Sequence, residues 1–296
     1  MIERFISRRA LITGAAMLPM ASVAAEPHTD PKQALADLER RVQGRLGVAI
    51  LDTTTATKIE HRAHERFPIC SVFKLFAAAA VLSRIDHGQE DLDRLIPFGP
   101  ADLLNYAPIA RKHADRGGMT ISELCAASIE YSDNTAGNLL VAALGGPDGL
   151  TRYFRSIGDE VTRIDRIEPE VNTAIPGDDR DTTSPAAMVD DVQHLLLANG
   201  LSPQSRARLE SWLASSVTGR NRIRAGLPAS WLAGDKTGLG EHGTSNDVAL
   251  LRPPGRRPIL VAAFITDSAV SAPERDAALA AIGALIATLV PSPVPP

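Results

Sequence analysis

Ser71 and Lys74 stand three residues apart, directly before the apolar run 75–82. Residues at this spacing share one face of a helix, so a helix that begins near Ser71 would place the Lys74 ammonium one turn from the Ser71 hydroxyl. A hydroxyl beside a possible base is an arrangement for nucleophilic catalysis. The first turn of such a helix also points free backbone N–H groups at any group attached there. A chain of this length contains about one Ser-x-x-Lys by chance, so the spacing alone is more typical of a helix surface.

Three further stretches concentrate polar residues beside predicted elements. They are Ser132-Asp133-Asn134 before a predicted helix, Glu168-Pro169-Glu170-Val171-Asn172 within the long charged loop 163–181, and Lys236-Thr237-Gly238 at the end of a predicted strand. Taken singly, each has an ordinary structural explanation, as a helix cap, a solvated loop and a turn. Arg166 and Asp181 flank this loop, and an ion pair between them would tie its ends together. Long loops inside compact domains are commonly functional.

The spacing of hydrophobic residues, and with it the predicted secondary structure that positions these polar residues, changes along the chain. Strand patterns lie towards both ends, at 46–51, 57–61, 231–235, 245–251 and 258–265. Between them the pattern is almost wholly helical, and further helices are predicted at 33–41 and 272–290. Because strands distant in sequence can join one antiparallel sheet, we expect an α+β fold of two lobes. Residues 26–66 and 216–290 would form a sheet flanked by helices, and residues 67–215 would form an inserted all-α lobe that includes the loop 163–181.

Composition excludes several classes of protein. The chain has 296 residues, of which 44% are hydrophobic, enough for a sizeable core in one large domain or two lobes. Its formal net charge is −4 and no long run of Lys or Arg stands out, so nucleic acid is not an expected partner. His and Cys show no zinc-binding spacing, so no metal or other cofactor is expected.

Residues 1–25 are predicted to be an export signal. Its positive charges are Arg4, Arg8 and Arg9. A short apolar core and small residues suited to cleavage follow them. The paired arginines also fit a twin-arginine signal, so both export routes stay open. No other apolar run reaches the roughly 18 residues of a membrane span, so we expect an exported protein without a membrane anchor, periplasmic or, if the host lacks an outer membrane, secreted. The Pro-rich tail 291–296 is expected to be disordered.

In their order and spacing, the four polar stretches together resemble those of class A serine β-lactamases. The resemblance runs from about Lys32 to Ile286 and implies a β-lactamase/transpeptidase-like fold. It further implies hydrolysis of the β-lactam amide of penicillins and cephalosporins through an acyl-enzyme on Ser71, which confers resistance to these drugs. The partner would be a small-molecule β-lactam, and we expect a monomer.

The resemblance also implies roles for individual residues in the chemistry. Ser71 would attack the amide, with Lys74 or Glu168 as the base for acylation, a choice that the sequence leaves open. Glu168, with a water that Asn172 helps to hold, would be the base for deacylation. Ser132 would relay a proton to the departing ring nitrogen.

A second set of residues would bind the substrate. Lys236 and Thr237 would hold its carboxylate, and Asn134 would bind its side-chain amide. The backbone N–H groups of Ser71 and Leu239 would form the oxyanion hole.

Three further assignments rest on the same resemblance. Tyr106 would form the aromatic wall of the pocket. Arg222 would supply a guanidinium to the carboxylate, because Ser245 occupies the position from which many members supply one. Arg166 and Asp181 would clamp the loop.

The two cysteines depart from some members of the family. Ala78 and Gly240 stand where other members place disulfide partners for cysteines like Cys125 and Cys70, so neither family disulfide can form. This lowers the expectation of carbapenem hydrolysis. We interpret both cysteines as small core residues.

Three alternative functions share part of this signature. A penicillin-binding transpeptidase or carboxypeptidase has Ser-x-x-Lys and Lys-Thr-Gly, but Glu168 and Asn172 argue for rapid deacylation. A β-lactam sensor domain would stay acylated and usually has attached transmembrane segments. An exported domain that keeps the fold without the chemistry is the least expected, since all the reactive residues are present.

Overall fold

Strands near the two ends of the chain enclose a run of helices. The computed structural model describes residues 30–290, so the predicted export signal 1–25 and tail 291–296 lie outside the described residues. The strands are β1 (Arg45–Asp52), β2 (Thr57–His61), β3 (Phe67–Pro68), β4 (Leu95–Ile96), β5 (Met119–Thr120), β6 (Thr182–Thr183), β7 (Leu232–Gly240), β8 (Thr244–Arg252) and β9 (Ile259–Thr266). The α-helices are α1 (Pro31–Val42), α2 (Phe73–Asp86), α3 (Ile121–Glu130), α4 (Asn134–Ala143), α5 (Gly146–Ser156), α6 (Pro185–Leu197), α7 (Pro203–Ala214) and α8 (Ala272–Leu289).

The five longer strands form one antiparallel sheet in the order β2-β1-β9-β8-β7. Strand β1 pairs with β9 along its whole length, with Arg45 opposite Thr266 and Asp52 opposite Ile259. Helices α2 to α7 lie between the two halves of this sheet in sequence and form the inserted lobe. The predicted α+β fold of two lobes is therefore confirmed. No helix of residues 30–290 is both long enough and apolar enough to cross a membrane.

The two faces of the sheet contribute to separate hydrophobic clusters. Side chains alternate between faces along a strand, so Val248 and Leu250 join the cluster that contains the helical lobe. Ala249 and Leu251 join the cluster of α1 and α8 on the opposite face. Strand β7 lies at the edge of the sheet.

Helix α2 runs through the centre of the helical lobe. Every residue from Phe73 to Leu82 is buried, as expected for a helix that is apolar on almost all sides. Ser71 lies in the short 3₁₀ turn Cys70–Val72 that leads into this helix. Cys70 has a left-handed φ of 46°, an unusual conformation for a residue other than glycine, so the surrounding contacts must hold this turn.

The predicted strand 231–235 is too short. Strand β7 continues to Gly240, so Lys236-Thr237-Gly238 lies inside the strand rather than in a turn after it. A lysine in a strand is usually a solvent-facing residue, and no pattern around Lys236 indicated that it is fully buried. Its burial follows from the helical lobe, which covers this part of β7 and presents Ser132 to the ammonium.

Candidate active site

The Ser71 hydroxyl lies between a buried ammonium and a buried carboxylate. Its Oγ donates a hydrogen bond to Oε1 of Glu168 at 2.7 Å and accepts one from Nζ of Lys74 at 2.9 Å. Nζ of Lys74 and Oε1 of Glu168 also form an ion pair at 2.8 Å. The predicted approach of Ser71 and Lys74 across one helical turn is confirmed, and the loop adds a second candidate base.

Lys74 is held by acceptors from three directions. Besides Ser71, its ammonium donates to the backbone carbonyl of Ser132 at 2.9 Å and to Oδ1 of Asn134 at 2.7 Å. A Cβ at Gly137 on α4 would lie 2.7 Å from Cε of Lys74, so a glycine is needed where the lysine passes. Burial lowers the pKa of Lys74, and the charge of Glu168 acts in the opposite direction. A lowered pKa brings a lysine closer to proton exchange at neutral pH.

Ser132 joins Lys74 to the second buried lysine. Nζ of Lys236 donates to Oγ of Ser132 at 2.9 Å, and Nζ of Lys74 lies 3.5 Å from the same oxygen. Burial, and then the charge of Lys74, hold the pKa of Lys236 well below its ordinary value. Ser132 has a φ of 57°, and Asp133 stabilises this turn by capping α4 through the backbone N–H of Ala136 at 2.9 Å.

Glu168 is fixed both through its main chain and through its side chain. Asn138 on α4 accepts from the Glu168 N–H at 2.9 Å and donates to the Glu168 carbonyl at 2.9 Å. Nδ2 of Asn172 donates to Oε2 of Glu168. The peptide bond to Pro169 is cis. The carboxylate is therefore aimed at Ser71 by contacts from α4 and from within the loop.

Arg166 and Asp181 do form an ion pair, as predicted. Nε of Arg166 donates to Oδ2 of Asp181, whose side chain is 1% exposed. The other oxygen of Asp181 accepts from the backbone N–H groups of Asp165 at 2.7 Å and Arg166 at 2.9 Å. The two ends of the loop that carries Glu168 are therefore joined.

A cavity of about 410 Å³ opens above these groups, between the helical lobe and β7. Its lining contains predicted residues from both lobes, namely Ser71, Tyr106, Ser132, Asn134, Asn172, Arg222, Thr237 and Leu239. Tyr106 and Leu239 are about half exposed at its rim. Lys74, Glu168 and Lys236 lie beneath the lining. No cluster of His, Cys, Asp and Glu that could hold a metal ion occurs between residues 30 and 290.

Arg222 reaches the cavity from beneath the edge strand. Its Nη1 donates to the backbone carbonyls of Gly238 at 2.8 Å and Asn246 at 2.7 Å, and its Nε donates to Oδ1 of Asp276 at 2.9 Å. Ser245, which stands in the alternative arginine position, accepts from Nε of Arg275 at 3.0 Å. Arg222 therefore braces β7 in addition to lining the cavity.

Both cysteines are free and buried, which confirms the interpretation as core residues. Burial raises the pKa of the Cys70 and Cys125 thiols. A Cβ at Gly240 would lie 2.7 Å from Sγ of Cys70, so glycine allows β7 to approach the turn that carries Ser71.

The sequence did not reveal two residues of the site. Thr218 lines the cavity and its hydroxyl lies 2.6 Å from that of Thr237. Asn138 braces Glu168, as described above. The spacing of Asn138 four residues after Asn134 offered a signal, because such residues share a helix face. Thr218 offered none.

A nucleophilic serine, two buried lysines and a carboxylate at a cleft between an α/β lobe and a helical lobe define a serine hydrolase that works by acyl transfer. Residues 30–290 match the model of the "Beta-lactamase enzyme family". The chain belongs to this family, and it is a class A serine β-lactamase.

Relatives of the chain agree in sequence and in structure. The β-lactamases CTX-M-25 of Escherichia coli and OXY-2 of Klebsiella oxytoca are 46% and 44% identical to it, each over 97% of this chain and 99% of their own length. An ancestral (GNCA) class A β-lactamase superimposes with a TM-score of 0.87 at 56% identity, covering 88% of this chain and all of its own. A putative class A β-lactamase, PenP of Rhodopseudomonas palustris, gives a TM-score of 0.86 at 49% identity, covering 88% of this chain and 99% of its own.

Proposed function

We propose that this chain hydrolyses the β-lactam amide of penicillins and cephalosporins through an acyl-enzyme on Ser71 and thereby confers resistance to them. The observation that carries the proposal is the position of the Ser71 hydroxyl, within hydrogen-bonding distance of both Lys74 and Glu168. A hydroxyl so placed can lose its proton as it attacks a carbonyl carbon. The backbone N–H groups of Ser71 and Leu239 would stabilise the resulting oxyanion.

The hydrogen bonds favour Glu168 as the acceptor of the Ser71 proton. The Ser71 hydroxyl donates to Glu168, whereas Lys74 donates to Ser71. Proton transfer along the existing bond therefore ends on the carboxylate. Lys74 would then stabilise the charge that develops on the Ser71 oxygen.

Departure of the ring nitrogen requires a proton donor on the opposite side of the new acyl bond. Ser132 Oγ lies within reach of both lysines, so a proton lost by Ser132 to the substrate can be replaced from Lys74. Lys236 and Thr237 would bind the substrate carboxylate beside Ser132, with Arg222 adding positive charge. Asn134 would bind the amide of the substrate side chain.

Release of the product would use Glu168 a second time, after the proton taken from Ser71 has passed to Lys74, which lies 2.8 Å away and has given its own proton up through Ser132. With the leaving group gone, Glu168 and the Asn172 amide would hold a water against the ester. Glu168 would take the proton of this water as it attacks, and the Ser71 oxygen would regain that proton as the ester bond breaks. The bracing of Glu168 by Asn138 supports this role, because a base for hydrolysis must keep its position after acylation. Arg166 and Asp181 would keep the loop closed around it.

We further propose that the mature protein is an exported monomer without a stable membrane anchor, which acts in the periplasm or is secreted if the host lacks an outer membrane. The export pattern of residues 1–25 supports the localisation. The lobes would comprise residues 26–66 with 216–290, and residues 67–215.

The test is hydrolysis of a chromogenic cephalosporin by the mature protein, with mass spectrometry on the same sample. We expect sustained turnover by the wild-type protein and none by Ser71→Ala. One stoichiometric burst followed by a stable adduct would instead indicate a penicillin-binding protein or a sensor. No reaction at all would mean that the fold is kept without its chemistry.

A further inference from the structure

Asn246 on β8 is a fully buried polar residue for which the proposed chemistry has no role. Its side chain leaves the sheet on the face that the helical lobe covers. There Nδ2 donates to the backbone carbonyls of Pro68 at 2.8 Å and Ile69 at 3.2 Å. One amide thus connects the sheet to the segment that immediately precedes the nucleophile.

That segment must be held from outside, because its backbone does not follow a regular element. Cys70 has a left-handed φ of 46° and leads directly to Ser71. On the loop side, the Ile69 N–H donates to the carbonyl of Asp181 at 2.9 Å, and Pro68 pairs with Thr182. On the sheet side, the Asn246 amide supplies the corresponding hydrogen bonds. Unusual backbone conformations persist where the surrounding structure determines them in this way.

The glycine of Lys236-Thr237-Gly238 leaves space for this connection. Gly238 lies opposite Asn246 in the register of β7 and β8. A Cβ at Gly238 would lie 3.0 Å from Nδ2 of Asn246 and 3.1 Å from the carbonyl oxygen of Ile69. Both distances are shorter than comfortable contacts, so any larger residue would displace the amide from its two acceptors.

The orientation of the Asn246 amide is determined by its surroundings. Two carbonyl oxygens face Nδ2, and only a donor can satisfy them. Oδ1 is buried and has no hydrogen-bond partner within the described residues 30–290. A buried acceptor without a partner is unfavourable, so the contacts of Nδ2 must outweigh that penalty.

We propose that Asn246 is a positioning residue for the oxyanion hole, an inference that rests on the proposed function. By fixing Pro68 and Ile69 to β8, it sets the backbone N–H of Ser71 relative to that of Leu239, which follows Gly238 on the paired strand. The backbone carbonyls of Asn246 and Gly238 both accept a hydrogen bond from Nη1 of Arg222. Asn246 therefore also aligns the guanidinium that would bind the substrate carboxylate.

The test uses Asn246→Asp, which keeps the shape and removes the donor. An ionised carboxylate would face two carbonyl oxygens, whereas a protonated one could donate to one of them. We expect the acylation rate and the affinity for phenylboronic acid, which forms a tetrahedral adduct on Ser71, to fall in parallel by about tenfold or more at alkaline pH. Both should recover relative to the wild type as the pH is lowered and the introduced carboxyl gains its proton.

Two further variants separate positioning from general destabilisation. Thr244 lies on the same strand as Asn246, and Thr244→Val removes its buried hydroxyl contact to Thr266 on β9. This variant should have a lower melting temperature and unchanged boronate affinity. Gly238→Ala keeps asparagine at position 246 but crowds its amide, so it should reproduce the loss of boronate affinity. It also tests the inference if the Asn246 variant does not fold. Wild-type boronate affinity in both Asn246→Asp and Gly238→Ala would overturn the inference, as would an Asn246→Asp defect that is constant with pH. In each case the wild-type protein would still turn over cephalosporin, whereas an inactive wild type would overturn the proposed function itself.

Discussion

Nζ of Lys74 and Oε1 of Glu168 lie 2.8 Å apart, and both contact the Ser71 hydroxyl. The two candidate bases are therefore not independent, because a proton on either atom changes the charge felt by the other. In the function proposed above, Glu168 takes the Ser71 proton and Lys74 stabilises the developing charge.

Glu168→Ala should still be acylated by a cephalosporin but should accumulate the acyl-enzyme, because it lacks the base for hydrolysis of the ester. Mass spectrometry should show a persistent adduct on the variant where the wild type shows only a transient one. Glu170→Gln is the matched control, since this exposed carboxylate lies two residues away in the same loop and should be dispensable. An adduct that disappears from Glu168→Ala at the wild-type rate would refute the deacylation role.

Arg222→Ala should raise KM more than it lowers kcat, since a guanidinium that binds the carboxylate acts in the ground state and the transition state alike. A lost hydrogen bond to a charged group is worth about 1.5–3 kcal/mol, which corresponds to about a tenfold or larger effect on KM. A smaller decrease in kcat is expected because Arg222 also holds the carbonyls of β7. The exposed Arg220→Ala serves as the control. An unchanged KM in Arg222→Ala would assign carboxylate binding elsewhere.

The free energy of unfolding should depend on pH because of Asp191. Burial, followed by the charge of nearby Asp159, raises the pKa of this carboxyl to about 9. Between about pH 5 and pH 8 the folded carboxyl keeps its proton while the unfolded one has lost it, so the free energy of unfolding falls as the pH rises, by up to about 1.4 kcal/mol per pH unit.

Asp191→Asn removes this dependence, so it should be increasingly stabilising relative to the wild type as the pH rises. Urea unfolding of both proteins at about pH 5.5 and about pH 8 measures the difference. Asp115→Asn, at an exposed position elsewhere in the chain, should show no such trend. Equal stabilisation at both pH values would contradict the assignment.

Asp181→Asn should slow deacylation more than acylation. The change weakens an ion pair whose carboxylate is buried, and breaking such a pair costs about 3–5 kcal/mol when a partner is removed. The loop should then hold Glu168 less firmly, while Ser71 in its 3₁₀ turn and Lys74 on α2 stay in place. Pre-steady-state kinetics would separate the two steps, with the exposed Asp179→Asn as control. Equal slowing of acylation and deacylation would show that the clamp supports the whole site.

Contacts that are local in sequence were predictable, and contacts between distant segments were not. The spacing of Ser71 and Lys74 specified their contact, because helix geometry relates residues three apart. Glu168 was placed in the site only by family resemblance, since nothing in a loop sequence specifies where its carboxylate points. The hydrogen bond from Asn246 to Pro68 spans 178 residues and depends on how the lobes meet. The burial of Lys236 was missed for the same reason.

The pairing of β1 with β9 has a consequence for the way this protein is made. Arg45 meets Thr266 across the sheet, so the central strand pair cannot form until nearly the whole chain has been synthesised. Until then β1, which is almost entirely buried in the finished sheet, has only β2 beside it, and its other edge is free to pair with strands of other molecules. A chain threaded unfolded through a membrane would close the sheet only on the far side. The sheet that carries the active-site edge can therefore be completed only after every residue of the helical lobe has been synthesised.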